Sequence, residues 1–214
     1  MTTPKPLVVT LAAVVLGAAF LASCSGDTAD SSEPMSTTTS DAAEAPVSGT
    51  PKSLVIGIDG ATFATMDELK LPNISALQKA GMTSRTNIGA GAYAPTLSGP
   101  GWASMVTGVW PDKHNALTNE FERPNFDQYP DYLTRIEGHQ PAADTYVSGA
   151  WPPIPQTVFG PTVDERLFGL GDAQTTDQAV EHLKLPDAEN VFVDLDEVDA
   201  NGHNHGSGSE EYAT

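Results

Sequence analysis

Ser53-Leu-Val-Ile-Gly-Ile-Asp59 is an almost unbroken apolar run that closes on a carboxylate and Gly60. The β-branched Val55, Ile56 and Ile58 suit a strand. The lack of apolar–polar alternation predicts a strand buried on both faces, the pattern of a parallel sheet covered by helices. Open α/β sheets bind ligands beyond the carboxyl ends of their strands, and Asp59 stands at that place. A turn aspartate that caps the next element is the alternative reading of the same residue.

Moving outward, Leu71–Gly81 (LPNISALQKAG) has proline at a first helical position, Ile74 and Leu77 on one face, and glycine at the stop. Met82–Ala94 holds a polar strand candidate and then a Gly/Ala-rich approach to Pro95–Asn119, PTLSGPGWASMVTGVWPDKHNALTN. That stretch reads as a small-residue turn and a short helix bearing Trp102, Met105, Val106 and Val109, ended by Gly108 with Pro111 beyond it. Ser98 falls at the helix N-terminus, where unpaired N–H groups and the positive dipole end suit a phosphoryl or sulfuryl group. A serine hydroxyl needs an activating base or metal to become a nucleophile.

Further on, Glu120–Pro141 reads as a long surface excursion, Ala143–Val147 as a strand and Pro152–Gly171 as loop. Thr175–Lys184 reads as a helix, with Thr175 and Gln178 at capping-box spacing. Asn190–Leu195 is a further strand, followed by Asp196, Glu197, Asp199, Gly202, His203 and His205. Carboxylates and imidazoles at one strand end commonly build a divalent-metal site, and Gly202 lets the backbone fold Asp199 and His203 towards one point. An acidic loop with solvated histidines is the alternative. On extended backbone His203 and His205 point to opposite sides, so one ion does not take both. His114, His139 and His182 read as structural or solvated, and Trp102, Met105 and Trp110 as core.

The front of the chain is of another kind. Residues 1–24 pair a weakly positive start at Lys5 with the apolar run Leu7–Leu21, too short for a comfortable membrane span, and end in Leu21-Ala22-Ser23-Cys24. This resembles the lipobox of bacterial lipoproteins, in which the cysteine, here Cys24, is lipidated. An ordinary cleaved signal and an uncleaved anchor are the alternatives. Residues 25–51, rich in Ser, Thr, Ala and acid and without Lys or Arg, read as a disordered linker that holds residues 52–214 off a membrane. The expected location is therefore outside the cell, lipid-anchored to the outer face of the bacterial membrane. The only cysteine is Cys24, so no internal disulfide framework is possible. With 28 acidic against 10 basic residues, a net charge of -18, a nucleic-acid polymer is not an expected partner. A small phosphate ester remains compatible, because bound cations invert the local field.

Taken in order, IGIDG, PNISALQKAGM, PTLSGPGWASMVTGVWPDKHN and DANGHNHG resemble the alkaline phosphatase superfamily, in its type I phosphodiesterase/nucleotide pyrophosphatase branch. The resemblance implies a three-layer α/β/α sandwich with a mostly parallel central sheet, and two divalent ions, Zn²⁺ in that family. Asp59 and the nucleophile Ser98 touch one of them, Asp199 and His203 the other, and Asn119 holds a phosphoryl oxygen. It implies hydrolysis of phosphodiester or nucleotide pyrophosphate bonds through a phosphoseryl intermediate. A phosphomonoesterase of the same superfamily and a catalytically incomplete surface lipoprotein are the alternatives. The family's T-F-P-N-H is replaced by Ser98-Gly99-Pro100-Gly101-Trp102, which bears on the substrate, and a sulfatase's C/S-x-P-S-R is absent. The family's downstream Asp-His pair and final histidine are missing from these 214 residues. The expectation is thus a partial domain, incomplete at its C-terminal side.

Overall fold

The structure is a computed structural model that describes residues 52–86 and 95–213. Cys24, the linker and most of the Met82–Ala94 strand candidate lie outside the described residues; Met82–Thr86 form no regular element.

Four strands make one parallel sheet in the order β1-β4-β2-β3: β1 (Ser53–Ile58), β2 (Thr145–Gly149), β3 (Glu165–Phe168) and β4 (Asn190–Leu195). β4 is central because its alternation is apolar both ways. Phe192 joins Trp102, Leu133, Val147, Ile154 and Phe159 on one face, while Val191 and Val193 join Tyr146 and Ala179 on the other. The first face is covered by α3 (Ser98–Thr107), α5 (Tyr132–His139) and a π-helical turn, Ile154–Val158; the second is covered by α6 (Asp172–Leu183). This is the α/β/α sandwich with a parallel sheet that the family resemblance implies. Between β1 and α3 run α1 (Phe63–Leu69) and α2 (Pro72–Ala80), the short α4 (Pro111–His114) follows α3, and the chain closes with α7 (Glu197–His205) and α8 (Glu210–Ala213). Among the described residues no helix is long and apolar enough to cross a membrane.

Several expectations change. β1 is not buried on both faces: Ile56 is 52% exposed, and α6 packs mainly over β4 and β2. Glu120–Pro141 is no surface excursion throughout. Phe121 and Leu133 enter the core, and buried Asp131 caps α5 through Thr134 N–H at 3.0 Å while its other oxygen accepts from Gly160 N–H at 2.8 Å. Pro152–Gly171 contains the π-helical turn and the short edge strand β3. The strand expected at Ala143–Val147 begins two residues later. The helix at Thr175 begins at Asp172, with Gly171 at its N-cap, so Thr175 is an interior residue and not a cap. Met105 (64% exposed) and Trp110 (50%) are not core, since the first points away from the sheet side of α3 and the second lies past its end. His114 is buried and structural. Its Nδ1 accepts from Ala116 N–H at 3.0 Å, which leaves Nε2–H to donate to Ser104 Oγ at 2.9 Å across to α3. His182 is neither solvated nor isolated. It stacks on Tyr146 at 4.2 Å and meets Asp144 Oδ2 at 2.8 Å.

Candidate metal and phosphoryl site

The carboxyl ends of β1 and β4 lie side by side, with Ile58 opposite Leu195 and Asp59 N–H donating to Leu195 C=O at 2.9 Å. This register brings Asp59 and Asp196 off neighbouring strand ends. The chain then departs from the extended segment expected here, because Glu197–His205 is helix α7. Asp199 sits in its first turn and His203 one turn later, with Nε2 3.3 Å from Asp199 Oδ2. His205 lies roughly 200° around the helix from His203, so the two still face apart. Gly60, in the left-handed region at φ 71°, makes the turn after Asp59; a Cβ there would stand 2.6 Å from Asp199 Cα. Tyr212 of α8 donates to Gly60 C=O at 2.7 Å and braces the corner.

Oxygens of Asp59, Asp196 and Asp199 consequently lie within 4.8 Å of one another. Two N–H donors orient Asp59: Gly60 N–H on Oδ1 at 2.9 Å and the Trp102 indole on Oδ2 at 3.0 Å. Burial, then the charges of Asp59, Asp199 and Asp172, pushes Asp196 up to about 6. Burial and Asp59 also raise Asp199, against the opposing pull of His203. The N-terminus of α7 is capped from a distance. Asp172 accepts from Asp196 N–H at 2.9 Å and Glu197 N–H at 3.1 Å, while Glu197 Oε1 accepts from Asp172 N–H at 3.1 Å.

Clustered carboxylates that repel one another, with an imidazole alongside, form a donor set that suits a divalent cation. The residues present fit such an ion. Asp196 stands among the carboxylates read at this strand end but has no ligand role in the family motif; the strand register places it beside Asp59.

Ser98 opens α3, half-buried, and Trp102 lies one turn further along the same helix face, touching Asp59. Asn119 is exposed beside this corner, and its Oδ1 accepts from Gly99 N–H at 2.8 Å. The free donors expected at this N-terminus are thus fewer than the helix alone suggests: Gly99 is engaged, Pro100 has none, and Gly101 N–H bonds Leu97 C=O at 3.0 Å. What Asn119 leaves unspent is its amide N–H₂.

The sequence profile described as type I phosphodiesterase / nucleotide pyrophosphatase matches residues 53–159, half of the chain. The chain belongs to this family. In fold it is similar to murine ectonucleotide pyrophosphatase/phosphodiesterase 5, in an inactive variant complexed with AMP, at a TM-score of 0.54 and 18% identity. That alignment covers 77% of this chain and 48% of the murine one. A second structure of the murine protein aligns at 0.52 and 18%, covering 74% and 46%. The chain spans about half the length of these family members. No curated protein sequence matches it.

Asp194, two residues before Asp196, is fully buried; its Oδ2 accepts a 3.3 Å bond from Trp151 N–H and its Oδ1 has no partner among the described residues. Burial first, then the Asp196, Asp59 and Asp172 charges, pushes it up to about 7 from 3.8. The folded state therefore keeps a proton that the unfolded chain gives up, and stability falls as pH rises from about 4 to about 7. Three units cost at most about 4 kcal/mol, and an asparagine N–H₂ left unpaired takes back about 1–3 kcal/mol. Asp194→Asn is expected to stabilise the chain by about 1–2 kcal/mol at pH 8 and to flatten the dependence below it, read by urea unfolding in EDTA.

Proposed function

We propose that the chain carries the nucleophile and metal-binding part of a metal-dependent phosphodiester hydrolase that acts on small nucleotide-type esters. The observation that carries this reading is the linkage of the Asp59–Asp196–Asp199 cluster to the Ser98 helix through one hydrogen bond, Trp102 to Asp59. Asp59 with Ser98, and Asp199 with His203, would each hold one Zn²⁺, and Asp196 adds a carboxylate to the same cluster. Bound there, the cations would supply the charge that depresses the Ser98 pKa and neutralises the phosphoryl oxygens.

Ser98 Oγ, its proton lost to solvent, forms a bond to phosphorus as the bond to one ester oxygen breaks; that oxygen leaves and takes up a proton from water, and the remaining monoester stays as a phosphoseryl group. Water then adds to phosphorus as the bond to Ser98 Oγ breaks, which returns the serine hydroxyl and releases the phosphate monoester. Asn119 donates its amide N–H₂ to a phosphoryl oxygen, because Gly99 N–H fixes the amide with its oxygen turned away. The AMP in the murine relative supports a nucleoside monophosphate as the group transferred. We further propose lipidation of Cys24, which would anchor this chemistry at the outer face of the membrane.

The test is hydrolysis of bis(p-nitrophenyl) phosphate and of p-nitrophenyl phosphate by the full chain before and after chelation. Chelator is expected to abolish diester cleavage and added Zn²⁺ to restore it, with the diester turned over faster than the monoester. Cleavage untouched by chelator would overturn the reading.

A further inference from the structure

Trp102 is a buried aromatic whose placement is determined by more than packing. Its ring lies against the β1 backbone at Gly57 and meets Phe192 of β4 edge-on, at 5.8 Å and 87°. Two strands thus fix where the indole N–H points, whatever Asp59 does. It points at Asp59 Oδ2, while Gly60 N–H holds Oδ1. A carboxylate with one donor on each oxygen has both its position and its plane set, and each oxygen keeps a lone pair for a cation. Outer-shell hydrogen bonds of this kind orient ligands, and their loss typically costs 10- to 100-fold in metal affinity.

We infer that Trp102 is a positioning residue: it fixes the Asp59 carboxylate for a divalent cation and ties that ligand to the helix that bears Ser98. Because Trp102 follows Ser98 by one helical turn, any tilt of α3 that moves the serine also pulls on Asp59. The inference rests on the metal reading of the cluster proposed above.

The experiment uses the full chain and Zn²⁺ in competition with a chelating indicator. Trp102→Phe deletes the N–H together with the outer ring that packs on Gly57, and keeps an aromatic side chain in the core. Its Zn²⁺ affinity is expected to fall about 10- to 100-fold, whereas Phe192→Leu, which loosens the same packing and keeps the N–H, should bind within about twofold of the parent; an equal loss in both would overturn the positioning role. Asp59→Asn is the reference variant. If it binds weakly while Trp102→Phe binds within about twofold of the parent, the positioning role is wrong and the metal site stands. If Asp59→Asn binds as tightly as the parent, the metal reading falls and this inference with it. Emission supplies a readout independent of the variant's stability. In the parent, Zn²⁺ should change the tryptophan emission, and the change should survive replacement of both other tryptophans, Trp110→Phe and Trp151→Phe. A response lost with Trp110→Phe or with Trp151→Phe overturns the assignment.

Discussion

Ser98→Ala is expected to lower diester hydrolysis about a thousandfold or more, with the thermal melt of the chain unchanged. The side chain is half-buried at the first position of α3, and among the described residues its Oγ has no hydrogen-bond partner. Removing the hydroxyl leaves Gly99 N–H on Asn119, Trp102 on Asp59 and the helix ladder in place, so little stability is at stake. What is lost is the atom that attacks phosphorus. Water can replace it only without the preorganised approach that the helix provides, and positioning of this kind is worth several powers of ten. The measurement is the initial rate at saturating Zn²⁺, together with trapping of phosphate on the protein. Parent protein should incorporate label from a labelled diester and Ser98→Ala should not. A variant that keeps a tenth of the parent rate would mean that Ser98 is not the nucleophile.

Such variants probe a site only part of which was legible in the sequence. β1 and β4 could be read because their information is local: SLVIGID and NVFVDL are apolar runs, and β4 forms with the expected bounds. α2 and α3 were equally plain, with Pro72 at the start of one and Gly81 and Gly108 at the stops. The illegible parts depend on partners distant in the chain. α7 looked like a loop because Glu197–His205 has no strong local cap; Asp172, on another helix, supplies it. β3 is a four-residue strand, ERLF, held by pairing to β2 alone. The Asp131 cap and the aromatic contacts that turn residues 120–141 inward are likewise invisible to composition. In the site, Asp59, Ser98, Asp199 and His203 stand in recognisable motifs. Asp196 and Trp102 join them only through the β1–β4 register and the packing of α3, which no spacing rule reports.

Gly57→Ala is expected to be the most damaging single methyl in the sheet. A Cβ at residue 57 would lie 1.9 Å from Trp102 Cη2 and 2.4 Å from Cζ3, inside any non-bonded distance. The ring cannot step aside, since it is 5% exposed and lies against Phe192. Either β1 separates from β4, or Trp102 leaves the core. A tryptophan buries about 150–250 Å², so its expulsion forfeits about 4–6 kcal/mol at ~25 cal/mol per Å² and strips Asp59 Oδ2 of its donor. Against a total stability of about 5–15 kcal/mol, that is enough to leave much of the chain unfolded. Urea unfolding of Gly57→Ala should therefore show a loss of about 4 kcal/mol or more, and Zn²⁺ affinity should fall with it. A double-mutant cycle separates the clash from any intrinsic cost of alanine in the strand. Trp102→Ala alone opens a cavity and destabilises. Adding Gly57→Ala to it should cost less than about 1 kcal/mol, because the methyl then enters the space the indole vacated. An equal cost in both backgrounds would place the strain in the β1 backbone and remove Trp102 from the explanation.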